Sequence, residues 1–163
     1  MSANGPLKLI IPIKHNKKQN LYDHNTMIDN TQNWKVKHWK SIQNAYRSSP
    51  FFNFYEEEFH KVFFNNKKLL SSLNINLISH INRILGLKKE IKLTSRKISH
   101  DKYDKKIINF KKNLYLNIPK YNQVFMSKFD FIPNLSILDL LFNVGPKSLE
   151  YLRDLKFSQS RSN

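Results

Sequence analysis

No cysteine occurs anywhere in the 163 residues, which excludes disulfides, a thiolate nucleophile and any cysteine-based metal site. Glycine is nearly as scarce: three residues cannot build a phosphate-cradling loop, and no Gly-x-Ser-x-Gly turn exists, which argues against self-sufficient nucleotide binding. The six histidines, at positions 15, 24, 38, 60, 80 and 100, never recur at the three- or four-residue spacing that would pair two ligands on a helix. We therefore expect no metal and no cofactor. Long apolar runs are also missing, none approaching the roughly 18 residues that cross a bilayer. Residues 1–6 lack the basic and apolar regions of a signal peptide, and the expected location is the cytoplasm.

Acidic residues are few as well, 12 against 28 lysines and arginines, for a net charge of +16. Such a balance suggests a nucleic-acid or anionic-membrane partner. The cations are nevertheless overwhelmingly lysine, with arginine only at positions 47, 83, 96, 153 and 161, and asparagine is about as frequent as lysine. A reader of base edges and phosphates would use the bidentate arginine fork. The charge is thus read as a compositional bias towards AT-rich codons, and no specific nucleic acid is expected. Apolar residues are 40% of the chain and aromatic residues 13%, enough for one folded domain.

Periodicity divides the chain. Residues 7–13 alternate Leu7, Leu9, Ile11 and Ile13, which predicts a strand with a buried face, Pro12 placing its far end at an edge. Residues 14–33 are polar and read as a loop with one extended stretch at 26–28. Helical spacing then predicts helices over 34–47, 50–65 and 67–85. Ser48, Ser49 and Pro50 are read as opening the second, Glu56, Glu57 and Glu58 as complementing its dipole, and Gly86 as stopping the third. Short extended segments are expected at 91–93 and 114–118, with no reliable element over 94–113. Residues 135–155 read as two short helices divided by Gly145 and Pro146. The expected fold class is α/β, mixed and helix-rich, with a small sheet including the strand near 7–13 and about four helices.

Three segments together carry a resemblance. They are residues 3–15 (ANGPLKLIIPIKH), 38–52 (HWKSIQNAYRSSPFF) and 131–146 (FIPNLSILDLLFNVGP). In this order the chain resembles the WbqC-like protein family of bacteria, in its Bacteroidetes form. The resemblance implies a cytoplasmic bacterial protein linked to surface polysaccharide synthesis, a transferase acting on a sugar or activated sugar. It implies a sugar or nucleotide-sugar ligand. Against the family pattern, a Tyr-Phe-Pro and a Tyr-x-Asn-Arg sequence that precede the first segment are absent, and Val144 stands where an acidic residue is common. We therefore expect one domain over 1–157, incomplete at its N-terminus, and a frayed tail over 158–163.

Two constellations carry candidate chemistry. His38, Trp39 and Lys40, with Tyr46 and Arg47 two turns on, suggest an anion or sugar pocket: Lys40 and Arg47 for phosphate, His38 for proton transfer, an indole for stacking on a ring. The competing reading is an amphipathic helix with Trp39 in the core. Ser136, Asp139 and Asn143 form one polar stripe on an apolar helix. Asp139 is the best carboxylate for a general base or hydroxyl-binding role. A solvent-facing stripe, or a buried aspartate tying two elements together, is the rival. Asp139 and His38 are thus the catalytic candidates, and Lys40, Trp39, Tyr46, Arg47, Ser136 and Asn143 the substrate-binding ones. A non-catalytic binding or scaffold protein is the alternative, and a basic nucleic-acid or membrane-surface binder the second.

Overall fold

The computed structural model of the protein describes residues 1–14, 24–91 and 115–158. Three helices come first: α1 (Trp34–Tyr46), α2 (Phe52–Phe64) and α3 (Leu70–Ile84). A short strand β1 (Tyr115–Asn117) follows, then α4 (Met126–Phe129), α5 (Ile137–Val144), a 3-10 turn (Gly145–Lys147), α6 (Ser148–Arg153) and β2 (Lys156–Ser158). β1 and β2 pair antiparallel with Leu116 opposite Phe157.

Helix α2 is the hub, touching α1, α3 and α5. Its Phe52, Tyr55, Phe59 and Phe63 fall at helical spacing on one buried face. Phe142 of α5, fully buried, meets Tyr46, Phe52 and Phe59 with ring centroids 5.2, 5.1 and 5.6 Å apart. Full burial of such side chains is worth about 1.5–3 kcal/mol each, so this aromatic cluster anchors α1, α2 and α5 to one another. Leu73 brings α3 into the same core. Helix α3 ends where glycine predicts: Gly86 sits at φ 69°, its N–H donates to the Arg83 carbonyl, and the Leu87 N–H reaches back to Asn82.

The α/β expectation does not survive. Among the described residues helix dominates, strand is confined to two three-residue segments, and residues 7–13 form no strand. Alternation was real, but a strand also needs a hydrogen-bonding neighbour, and none runs beside this segment among the described residues. Pro12 removes one of its donors, and Pro6 removes the donor just before it. Among the described residues its backbone-to-backbone bonds lie only at the far end, the Lys14 N–H on Met27 O and the Asp29 N–H on Pro12 O, with a lone bridge between Ile13 and Ile28. Instead of a buried face it shows Leu7, Leu9 and Ile10 at 49, 39 and 75% exposure, while Ile11 packs on the core. The extended stretch at 26–28 makes bridges to Ile13 and Leu69.

Two local expectations also change. Ser49 does not open α2: its hydroxyl donates to the Tyr46 carbonyl, closing α1, while α2 begins at Phe52 without a side-chain cap. The three glutamates lie beyond the first turn of α2, and each has a side-chain partner: Gln43 for Glu56, Lys61 for Glu57, Arg83 for Glu58. The segment expected at 114–118 is β1, whereas residues 92–114, and with them most of the stretch at 91–93, lie outside the described residues. The expected tail at 158–163 begins with Ser158, the last residue of β2, and is otherwise outside them too.

Candidate functional site

A cleft of about 310 Å³ opens where α1, the start of α5 and the extended N-terminal segment converge. Helix α1 supplies one wall, because His38, Ser41, Ile42, Ala45 and Tyr46 recur at three- and four-residue intervals and share a face. Leu7, Leu9 and Ile11 cover the opposite side, and Ser136 and Leu138 close the end. The lining is mainly apolar, punctuated by an imidazole and three hydroxyls. That composition and size fall within the range of small-molecule sites.

His38 is half-buried, its ring 5.2 Å from that of Trp34. Burial lowers its pKa, opposed by hydrogen bonding to the Ile10 backbone, so the imidazole is held as the neutral base at neutral pH. Tyr46 is 4% exposed, and the Met1 amine approaches its hydroxyl at 3.4 Å. Burial first, then the nearby Asp139 carboxylate, pushes its pKa far up, so the phenol stays protonated.

Asp139 lies behind this wall and does not line the cleft. It is 1% exposed and gathers partners from a distant loop: the Tyr121 hydroxyl donates to Oδ2 at 2.7 Å and the Gln123 amide to the same oxygen at 3.1 Å. Gln123 also clamps the Ile132 backbone, donating to its carbonyl and accepting from its N–H, both at 2.9 Å. Tyr121 packs edge-on to Phe131 and Tyr151, and burial raises its pKa, with the Asp139 carboxylate adding to the effect. The Tyr46 phenol adds a third side-chain interaction with this buried carboxylate.

The two constellations are therefore divided. Successive residues of a helix point about 100° apart, and the first trio separates accordingly: His38 faces the cleft, Trp39 is buried against His60, Phe63 and Phe64, and Lys40 is in solvent. Arg47, the residue closing α1, is exposed and also outside the cleft lining. Phosphate binding by Lys40 and Arg47 thus has no support in this cleft, and the Trp39 indole is occupied by packing. On α5 the polar stripe has three separate roles. Ser136 is the N-cap, accepting from the Leu138 N–H at 3.3 Å, and Asn143 donates to the Asp139 carbonyl at 2.8 Å. Asp139 does what the rival reading described, tying α5 to the 121–132 loop. Tyr121 and Gln123 escaped sequence reasoning, since residues 16 and 18 positions away from Asp139 share no local period with it.

Among the described residues no group of three or more histidines, aspartates or glutamates is placed to hold a metal ion, and no helix is long and apolar enough to cross a membrane. Comparison with known families gives two overlapping matches to the model of the WbqC-like protein family, over residues 1–115 and 96–151. No curated protein and no solved structure matches the chain.

Proposed function

The chain belongs to the WbqC-like protein family, and on that premise we propose that it serves bacterial surface polysaccharide synthesis as a transferase, binding a sugar in the cleft beside His38. The observation that carries this reading is a neutral imidazole standing among three hydroxyls over an apolar wall. A sugar offers the matching surface, hydroxyls at its edge and C–H groups on its faces. His38 in its neutral form takes the proton of an attacking sugar hydroxyl, and Tyr46, held by the buried aspartate, orients the ring. Asp139 acts through Tyr46 and is a positioning residue.

One observation favours a binding role without transfer: among the described residues no lysine or arginine lines the cleft to receive a departing phosphate. The two readings separate in one experiment. Incubation with nucleotide sugars should raise the melting temperature under either, since a ligand at 100 times its Kd adds about 2.7 kcal/mol. Only transfer predicts product, and His38→Ala should lower its rate by about 10²–10⁴-fold, the usual worth of a general base, with melting temperature little changed. Product formation undiminished in His38→Ala would overturn the catalytic assignment.

A further inference from the structure

Resting on the reading of the cleft as a sugar site, we infer that it takes an uncharged sugar ring and reads it through the ring's own hydroxyl protons, with Ser41 a specificity-determining residue beside His38. Three polar side chains of α1 line the cleft, His38, Ser41 and Tyr46, and each gives its proton elsewhere. The Ser41 hydroxyl donates to the Lys37 carbonyl one turn back, at 2.9 Å. The His38 ring bonds to the Ile10 backbone in the sense that favours added positive charge, so a ring N–H donates there to the carbonyl. The Tyr46 phenol bonds to Asp139 in the sense that keeps its proton, so it too donates away from the cleft. A hydroxyl has one proton and a neutral imidazole one N–H. What α1 offers the cleft is therefore a row of acceptors, two hydroxyl oxygens and the second ring nitrogen.

Such a row sorts ligands. A sugar hydroxyl turns its proton to whichever acceptor it meets, whereas a carboxylate on the ring has none to give and sets lone pair against lone pair. Its charge is also lost from water against apolar walls, and among the described residues no lysine or arginine lines the cleft to offset that cost. The spacing fits one ring edge. His38 and Ser41 share a face and stand about 4.5 Å apart along the helix axis, so a hydroxyl donating to His38 places its neighbour on the ring within reach of Ser41. Tyr46 follows about 7.5 Å further along the axis. Ser136, at the end of the cleft, differs in kind: its oxygen accepts the Leu138 N–H, and among the described residues its proton has no acceptor. The α1 wall thus demands donors, and the sugar hydroxyl that donates to His38 is the one placed to lose its proton.

The test titrates the methyl glycosides of glucose, galactose and mannose into the whole chain, followed by ligand-observed NMR. The tightest binder is then compared with its uronate and with derivatives in which fluorine replaces one hydroxyl, keeping the polarity of the bond and removing the proton. At one ring position or more, fluorine should weaken binding by about tenfold, the effect of leaving a desolvated acceptor unpaired. The uronate should bind at least about tenfold more weakly than its parent. Ser41→Ala deletes a hydroxyl that bonds within its own helix, so the variant should melt as the unaltered protein does. In it the parent glycoside should lose affinity, and one fluorine derivative should then match it. Fluorine derivatives that all bind the unaltered protein as well as their parent overturn the inference and leave the sugar reading standing, as does a uronate that binds as tightly. Binding of none of the glycosides overturns both. Fluorine deficits unchanged in folded Ser41→Ala overturn the assignment of Ser41, and the fluorine series on the unaltered protein decides the acceptor row without any variant.

Discussion

Replacing Gly145 with alanine tests the packing on which the cleft depends. Gly145 closes α5 with φ 62° and ψ −131°, a backbone region that side chains rarely tolerate. A Cβ built there would lie 2.6 Å from Cγ and Cδ1 of Phe51 and 2.7 Å from Cδ2. The ring has little room to retreat, because the Phe51 N–H donates to the Phe142 carbonyl at 3.0 Å and Phe142 is wedged among Tyr46, Phe52 and Phe59. Backbone strain of this kind costs about 1–3 kcal/mol and overpacking a similar amount, about 1–3 kcal/mol. At about 2–4 °C per kcal/mol for a chain of this size, the melting temperature of Gly145→Ala should fall by roughly 5 °C or more. Thermal unfolding followed by circular dichroism measures it. The double variant with Phe51→Leu separates the two terms: relief of the clash should leave it less destabilised than the sum of the singles by about 1 kcal/mol or more. A single variant melting within about 2 °C of the parent would refute the whole argument, and strictly additive effects would refute the clash.

Tyr121→Phe removes a 2.7 Å donor from the buried Asp139 carboxylate, and should cost about 1–3 kcal/mol in urea unfolding; an unchanged midpoint would show that Asp139 does not depend on it. His38 and His80 both have pKa values lowered by burial, with Arg83 adding to the effect at His80. The unfolded chain therefore takes up protons before the folded one does, so stability is fully present above the ordinary histidine pKa of about 6.5 and declines as pH falls through the window below it. His80→Gln should flatten that decline, and stability insensitive to pH between about 6.5 and 5 would contradict the burial argument. The excess of lysine over arginine predicts DNA binding that is weak, sequence-independent and lost at moderate salt in fluorescence anisotropy; tight, sequence-selective binding at physiological salt would contradict it.

Helices were legible because their signal is local. The spacing of Phe52, Tyr55, Phe59 and Phe63, or of Leu70, Leu73, Leu77 and Ile81, states which face is apolar without reference to any other part of the chain, and Gly86 marks its own stop. The alternation of residues 7–13 carried only half of what a strand requires. Period two distinguishes two sides, but pairing needs a neighbour that no nearby residue announces, and here the neighbours are the His38 face of α1 and the start of α5. His38 and Tyr46 were legible as cleft residues by the same helical arithmetic that separated Trp39 and Lys40 from them, once α1 had a direction to face. Asp139 shows where that arithmetic ends. Its spacing from Ser136 and Asn143 describes one stripe correctly, yet the stripe's three members serve a cap, a buried network and a backbone bond. The network depends on a chain reversal through Asp130 and Asn134, both at positive φ, which carries Ile132 back to Gln123. A carboxylate placed by contacts of this range depends on surroundings fixed by other bonds, among them Gln123 to Ile132 and Tyr151 to Pro119.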